Sequence, residues 1–466
     1  MQLIPGQRVH FVGIGGAGLS AIARILLHQG YSVSGSDRAP SAITEELARE
    51  GATIYKGHNP AHVLNAELVI ISSAVQSDHI EVLAAHSEGI PVVKRADILA
   101  ALMSGHVGIA VAGTHGKTTT TAMITHVLRE AGQKPSYIVG GVMNNTSSNA
   151  EVGSGRAFII EADEYDNMFH GLRPQIEVIT NIEYDHPDFF RTRGAYTDAF
   201  SRFIGLLPKD GLLIACADDP TANIFAQNRF IVNLPVLMYG IINPRSTWRA
   251  TRLRPAEGGT AFEVVRRGNV LGTVTLGVPG RHNVLNALAT LAVAESQGVT
   301  FEIASAALRT FKGLARRFDV RGEVDGVVVV DDYAHNPTKI RAALQAARER
   351  YPKADIWAVW QPHTYSRTQA LAELYAVAFD DADHVIVTDI YAAREQPIEG
   401  VSAAETVKTI QHRDVRHIAD LPDVTGFLLG EVKAPAVIVV MSAGDATQIA
   451  EEYLQHKRAS TAPSEV

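Results

Sequence analysis

Short runs of consecutive apolar residues alternate, over the first hundred positions, with stretches in which apolar residues recur every three or four. The runs "RVHFVGI", "YSVSGSD" and "LVIISSAV" predict strands, and "LSAIARILLHQG", "AITEELAREG" and "IEVLAAHSEG" predict the helices between them. Strand and helix in succession indicate parallel βαβ units. The order resumes at "SGHVGIAVAG" (104–113) with the helix "TTTTAMITHVLREAG", and further strands are expected at "RAFIIEAD" (156–163) and "EVITNI" (177–182). Residues 247–276 break the rhythm: "TWRATRLRP", "TAFEVVRRG" and "VLGTVTLG" read as consecutive strands, hence a small antiparallel subsheet. After the helix "HNVLNALATLAVAESQG" the alternation restarts near Lys312 to Arg317 with "GVVVVDDYA", "IWAVWQPH", "HVIVTDIYA" and "AVIVVMSAG". The pattern divides the chain into three α/β units, 1–104, 105–312 and 313–466.

Composition narrows the class. The 466 residues suit three domains at roughly 150 residues each. With 46% hydrophobic and 20% charged residues, each unit can bury its own core. The net charge of -8 argues against a nucleic-acid surface. The single cysteine, Cys216, excludes an internal disulfide and a cysteine-built metal site, and suits a reducing cytosol. The N-terminus has no signal-peptide pattern, and no apolar run approaches the ~18 residues of a membrane span. The expectation is a soluble cytoplasmic protein with a frayed tail over 456–466.

Two glycine-rich turns advertise nucleotide sites. In "FVGIGGAGLS", Gly13, Gly15 and Gly18 match G-x-G-x-x-G between a strand and a helix, and Asp37 ends the next strand, where a carboxylate can bond a ribose. Backbone amides and the helix N-terminus there would hold a diphosphate. By motif alone a dinucleotide ranks first, a nucleotide-sugar second and a tight structural turn third.

The second turn, "VAGTHGKTTTTAM" (111–123), has Val111 where the usual G-x-x-x-x-G-K-[ST] spacing has glycine. The chemistry survives that change. Gly113 and Gly116 let amides face phosphate, Lys117 supplies a point charge, and the Thr118 hydroxyl can reach Mg²⁺. Hard oxygen ligands follow two later apolar runs: Glu161, Asp163, Glu164 and Asp166 in "FIIEADEYD", and Asn181, Glu183, Asp185, His186 and Asp188 in "VITNIEYDHPD".

Taken in order, "GIGGAG", "GTHGKTTTT", "EADE", "TNIEYDH", "GRHNVLNA", "RRFD", "DDYAHNP" and "QPHTYSRT" resemble the bacterial Mur ligases over essentially the whole chain. The resemblance implies an N-terminal Rossmann-like domain for a UDP-sugar, a central P-loop ATPase-type parallel sheet with the antiparallel subsheet, and a C-terminal Rossmann-like domain assisting the amino acid. It implies UDP-sugar contacts at Gly15, Gly16, Ala17, Asp37, His58, Ser72 and Ser73. ATP contacts would fall on Gly113, Thr114, His115, Gly116, Lys117, Thr118 and Thr119, with His282, Asn283 and Asn286 at adenine, Arg317 near phosphate and Asp332 near ribose. Metal ligands map onto Thr118, Glu161 and His186, and amino-acid recognition onto Tyr333, His335 and Arg367.

Three positions depart from the family pattern. No lysine lies between Asp188 and Pro208, where several sister ligases carry a carbamoylated one; Asn336 replaces a frequent second histidine; Thr364 replaces an arginine. The implied reaction joins L-alanine to the carboxylate of UDP-N-acetylmuramate through an acyl phosphate, with ATP and Mg²⁺. Lys117, Glu161, His186, Arg317 and His335 are the implied catalytic groups, with His335 or a metal-bound group accepting the amine proton. The alternatives are a ligase that recycles a preformed peptide, an NAD-dependent oxidoreductase, and a non-catalytic nucleotide-sugar sensor.

Overall fold

A computed structural model of the chain describes residues 3–461 except 5, 40, 73, 74, 188 and 394. The described residues form three sheets. The first has five parallel strands in the order Thr53–Lys56, Ser32–Asp37, Arg8–Val12, Leu68–Ile71 and Val92–Lys94. The chain leaves Arg8–Val12 toward one side and returns at Leu68–Ile71 on the other. That reversal opens a crevice at the strand ends, where ligands of open α/β sheets bind.

The second sheet has ten strands. Val107–Ala112 lies between Ile176–Ile179 and Ala157–Glu161, all parallel and almost wholly buried. Burial on both faces explains why "VGIAVA" and "IEVI" show little polar alternation. The antiparallel strands Trp248–Ala256, Gly259–Arg266 and Asn269–Leu276 are not a separate layer. Trp248 pairs in parallel with Tyr239, so they extend the main sheet at one edge. Their second hairpin turns at Arg267 (φ 47°) and Gly268 (φ 85°), and two consecutive positive φ angles match the right-handed strand twist. A further hairpin, Ser136–Met143 with Ser148–Glu151, closes the opposite edge.

The third sheet has six strands, ordered Asp319–Val324, Val327–Asp332, Ala436–Met441, Asp355–Trp360, His384–Val387 and Val415–His417. Only the first pair is antiparallel.

One apolar cluster runs from Phe11, Ile22 and Leu99 of the first unit to Ile160, Phe169 and Phe200 of the second, so these two units share a core. Arg24 spans the same boundary, donating from Nη1 to Asn149 Oδ1 (2.9 Å) and from Nε to Glu50 (2.8 Å). No helix among the described residues is long and apolar enough to cross a membrane.

Candidate active site

Val107–Ala112 delivers the chain into the loop Gly113–Gly116, and the helix Lys117–Glu130 carries it away. Gly113 has φ +138°, and a Cβ there would lie 2.0 Å from Thr180 Oγ1; Gly116 has φ +81° and would collide with Asn286 Oδ1 at 2.7 Å. Glycine is required at both positions by backbone conformation and by space. The loop is braced from behind. Thr114 N donates to Asn181 O (2.9 Å), His115 N to Asn181 Oδ1 (2.9 Å), and the buried Thr114 hydroxyl to Glu183 O (2.7 Å). The amide and hydroxyl of Thr114 are thus spent on the scaffold. The first-turn amides at Lys117, Thr118 and Thr119 lack intrahelical partners by the geometry of any helix N-terminus.

Lys117 is largely enclosed, its side chain 13% exposed, with acids around it. Its Nζ lies 2.7 Å from Glu164 Oε2 and donates to the Gly113 carbonyl at 2.5 Å. Burial opposes the lysine charge, but Glu164, Asp163 and Glu161 outweigh it and raise the pKa. Burial pushes the Glu164 carboxyl upward, with Lys117 opposing. The Thr118 hydroxyl donates to Glu161 Oε1 (3.1 Å), Glu161 Oε2 accepts from Gly140 N (2.8 Å), and Arg317 Nη2 reaches the Thr118 hydroxyl at 3.4 Å. His186, at φ +56°, has Nε2 3.8 Å from Glu164 Oε1. A hydroxyl, a carboxylate and an imidazole beside a lysine suit an Mg²⁺-phosphate site by donor chemistry.

A cavity of about 200 Å³ lies against this loop. It brings His115, Gly116 and Thr119 together with His282, Asn283 and Asn286 from the helix Arg281–Ser296, and with Arg317 and Asp332 from the third unit. His282 lines the cavity while remaining exposed. Burial raises the Asp332 carboxyl to about 6 against the pull of Arg317, and Asp332 Oδ2 accepts from Phe318 N at 2.7 Å.

Lys339 lines the same cavity and escaped the sequence reading. Burial lowers its pKa to about 7. A signal was available. Lys339 falls in the first turn of the helix Pro337–Arg350, where a cation opposes the helix dipole and needs another reason to be there. Asn336 caps that helix, its side chain accepting from Lys339 N at 2.9 Å.

In the third unit, His335 Nδ1 lies 2.9 Å from the Tyr333 carbonyl. A carbonyl only accepts, so the proton sits on Nδ1 and Nε2 keeps its lone pair. Burial, reinforced by the charges of Lys339 and Arg367, holds this imidazole well below its usual range. Arg367, 8% exposed, lies on the helix Tyr365–Ala370, and its Nη2 is 3.5 Å from Asp185 Oδ1. Tyr333 packs edge-on against His335, ring centroids 5.1 Å apart, and its ring also lies under the Arg316 and Arg317 guanidiniums at 5.3 and 5.1 Å.

The crevice of the first sheet is a second cavity, about 650 Å³, lined by Gly13, Gly16, Asp37, His58 and Ser72. Gly15 N donates to Asp37 Oδ2 (2.8 Å), so this carboxylate braces the turn it was expected to complement. Ala17 opens the helix Ala17–His28, while Ser73 lies outside the described residues. Arg95 and Tyr165 also line this crevice and were not anticipated; the Arg95 Nη1 is so close to Gly18 that a Cβ there would be 2.1 Å away.

The one group of three His, Asp or Glu side chains among the described residues with converging ligand atoms is His58, His79 and Glu81, beside this crevice. The carboxylate is already saturated. Glu81, fully buried, accepts from Ser36 Oγ (2.6 Å), His62 Nδ1 (2.9 Å), Asn59 N (3.2 Å) and His58 Nδ1 (3.2 Å). It is therefore a structural acceptor that orients His58 toward the crevice. Burial alone would raise its pKa, but the facing His10 and these donors lower it from 4.5 to about 2. A depressed folded-state pKa means stability present above 4.5 and lost as pH falls toward 2. Glu81→Gln is expected to cost about 2–3 kcal/mol at neutral pH. Thermal unfolding against pH checks it: the gap from wild type must shrink over that acid window.

Fold and site define an enzyme of three α/β units, in which Arg317 of the third reaches Thr118 at the start of the helix that follows the glycine loop of the second. Residues 8–107 match the family profile described as Mur ligase family, catalytic domain; 111–294 match the Mur ligase middle domain; and 316–444 match the Mur ligase, glutamate ligase domain. The UDP-N-acetylmuramate–L-alanine ligase of Pelotomaculum thermopropionicum is 44% identical over 94% of this chain and 95% of its own length; that of Geotalea daltonii is 43% identical over 97% and 98%. The crystal structure of the UDP-N-acetylmuramate-alanine ligase of Thermotoga maritima superposes with TM-score 0.81 at 29% identity, over 97% of this chain and 99% of that one. A murein peptide ligase from Psychrobacter arcticus gives TM-score 0.73 at 26% identity, with the same shares of the two chains. The chain belongs to the Mur ligase family.

Proposed function

We propose that this chain is an ATP-dependent ligase that joins L-alanine to the lactyl carboxylate of UDP-N-acetylmuramate, releasing ADP and phosphate, in cytoplasmic peptidoglycan precursor synthesis. The observation that carries the reading is the Thr118 hydroxyl touched by both Glu161 and Arg317 beside the largely enclosed Lys117. Two units thereby place cations and metal-binding oxygens around one point, which suits transfer of a phosphoryl group between two anions.

In the first step a carboxylate oxygen attacks the γ-phosphorus of ATP, ADP leaves, and an acyl phosphate forms. Lys117 and Arg317 cancel the repulsion between the two anions in this step. Thr118, Glu161 and His186 would hold Mg²⁺, which supplies further charge neutralisation at the phosphates. In the second step the ammonium of alanine gives a proton to His335 Nε2, the free amine attacks the acyl carbon, and as the amide forms phosphate leaves, taking up the second amine proton as hydrogen phosphate. The neutral, Nδ1-protonated state of His335 supports that role. The UDP-sugar is held in the crevice of the first sheet, with the Gly13–Gly16 turn at the diphosphate and His58 at its wall.

The test is release of ADP from ATP and UDP-N-acetylmuramate with the amine partner varied. L-alanine is expected to support steady release and a preformed cell-wall tripeptide is not. Release with the tripeptide and none with alanine would make the chain a recycling ligase instead.

A further inference from the structure

Arg367 and Asp185 come from different units and meet in the interior, their side chains 9% and 6% exposed. Their closest approach is 3.5 Å, longer than the ~2.7–2.9 Å of a charge-assisted hydrogen bond. Each partner keeps capacity in reserve. Arg367 spends Nη1 on His363 Nδ1 (3.1 Å), and its Nε is buried without a hydrogen-bond partner. Asp185 Oδ1 accepts from His186 N (2.8 Å), while among the described residues Oδ2 accepts no hydrogen bond.

A buried donor left unmade is costly, so a group that completes it is favoured there. A group that satisfies a guanidinium and a carboxylate lying side by side with matching charge carries a carboxylate and an ammonium close together. That is an α-amino acid zwitterion, laid with its dipole opposed to the ion pair. We propose that Asp185 anchors the ammonium of the amino-acid substrate while Arg367 takes its carboxylate. The inference rests on the ligase reading above and deepens it. It makes Asp185 the residue that rejects acids lacking an α-amine. It also delivers the ammonium into the cluster that contains His335, whose ring lies 5.7 Å from that of His363.

The experiment compares L-alanine with propionate, the same skeleton without the amine. In the wild-type enzyme the competitive inhibition constant of propionate is expected to exceed the KM of alanine by about 100-fold or more. Asp185→Asn keeps the oxygen that accepts from His186 N and removes the charge. It is expected to raise the KM for alanine about 30-fold or more, to leave propionate inhibition unchanged or stronger, and to hold the KM values for ATP and UDP-N-acetylmuramate within about twofold. Active enzyme with an unchanged alanine KM overturns the inference alone. A joint rise of all three KM values with a drop in unfolding temperature shows an interdomain latch instead, and also overturns it. If Asp185→Asn does not fold, the wild-type comparison decides: propionate binding as tightly as alanine sinks the proposal. No alanine-dependent ADP release from wild type overturns the ligase reading, and this inference with it.

Discussion

Lys117→Ala is expected to lower alanine-dependent ADP release by a factor on the order of 10³ or more, because it removes the one loop cation placed to face the transferred phosphoryl group. The substitution has a second effect that must be separated from the first. It strands Glu164, whose side chain is 1% exposed, without its 2.7 Å partner. Breaking one side of a buried ion pair costs about 3–5 kcal/mol. The double variant Lys117→Ala with Glu164→Gln restores a neutral interior and should recover most of the unfolding temperature while remaining inactive. Single-turnover ADP release and thermal unfolding, measured on both variants, check this. Near-normal turnover in either would remove Lys117 from the chemistry.

His335→Ala is the second large effect, an expected fall in kcat of about 10²–10³ with the KM for ATP within about twofold. The pH profile carries the sharper signature. A base works only when unprotonated, and the His335 pKa lies well below the usual 6.5 through burial and the nearby Lys339 and Arg367 charges. The wild-type alanine kcat/KM should therefore stay level as pH falls through 6.5 and decline only at lower pH. That acid limb should disappear from the residual activity of the alanine variant. A wild-type limb centred at or above 6.5 would point to another proton acceptor.

The strands that flank the site were legible because burial on both faces leaves an uninterrupted apolar run bounded by glycine or acid, as in "VGIAVAG" before the phosphate loop and "FIIEADE" after Ala157. Two short edge strands were not. Thr53–Lys56 and Val415–His417 are short and half polar, because an edge strand faces water and carries no continuous apolar signal. Leu212–Cys216 was lost for another reason: five apolar residues show no period that separates a strand from a buried helix. The antiparallel segment was read in its correct place, but its continuity with the main sheet depends on the pairing of Tyr239 with Trp248, a contact that no local pattern encodes.

Local chemistry was likewise set by spacing. Gly113, Gly116, Lys117 and Thr118 stand where a strand turns sharply into a helix with its first amides bare, and the residue types announce that turn. What the sequence by itself determined is therefore the three α/β units, the two glycine turns and the residues that stand on them. The tertiary structure alone decided how charges pair: Lys117 with Glu164, Arg367 with Asp185, Asp37 with Gly15 N, and Lys339 in the cavity shared by two units. Charge and hydrogen-bonding partners follow from distances between segments far apart in the chain. Those distances exist only once the sheets have packed and water has been excluded between them.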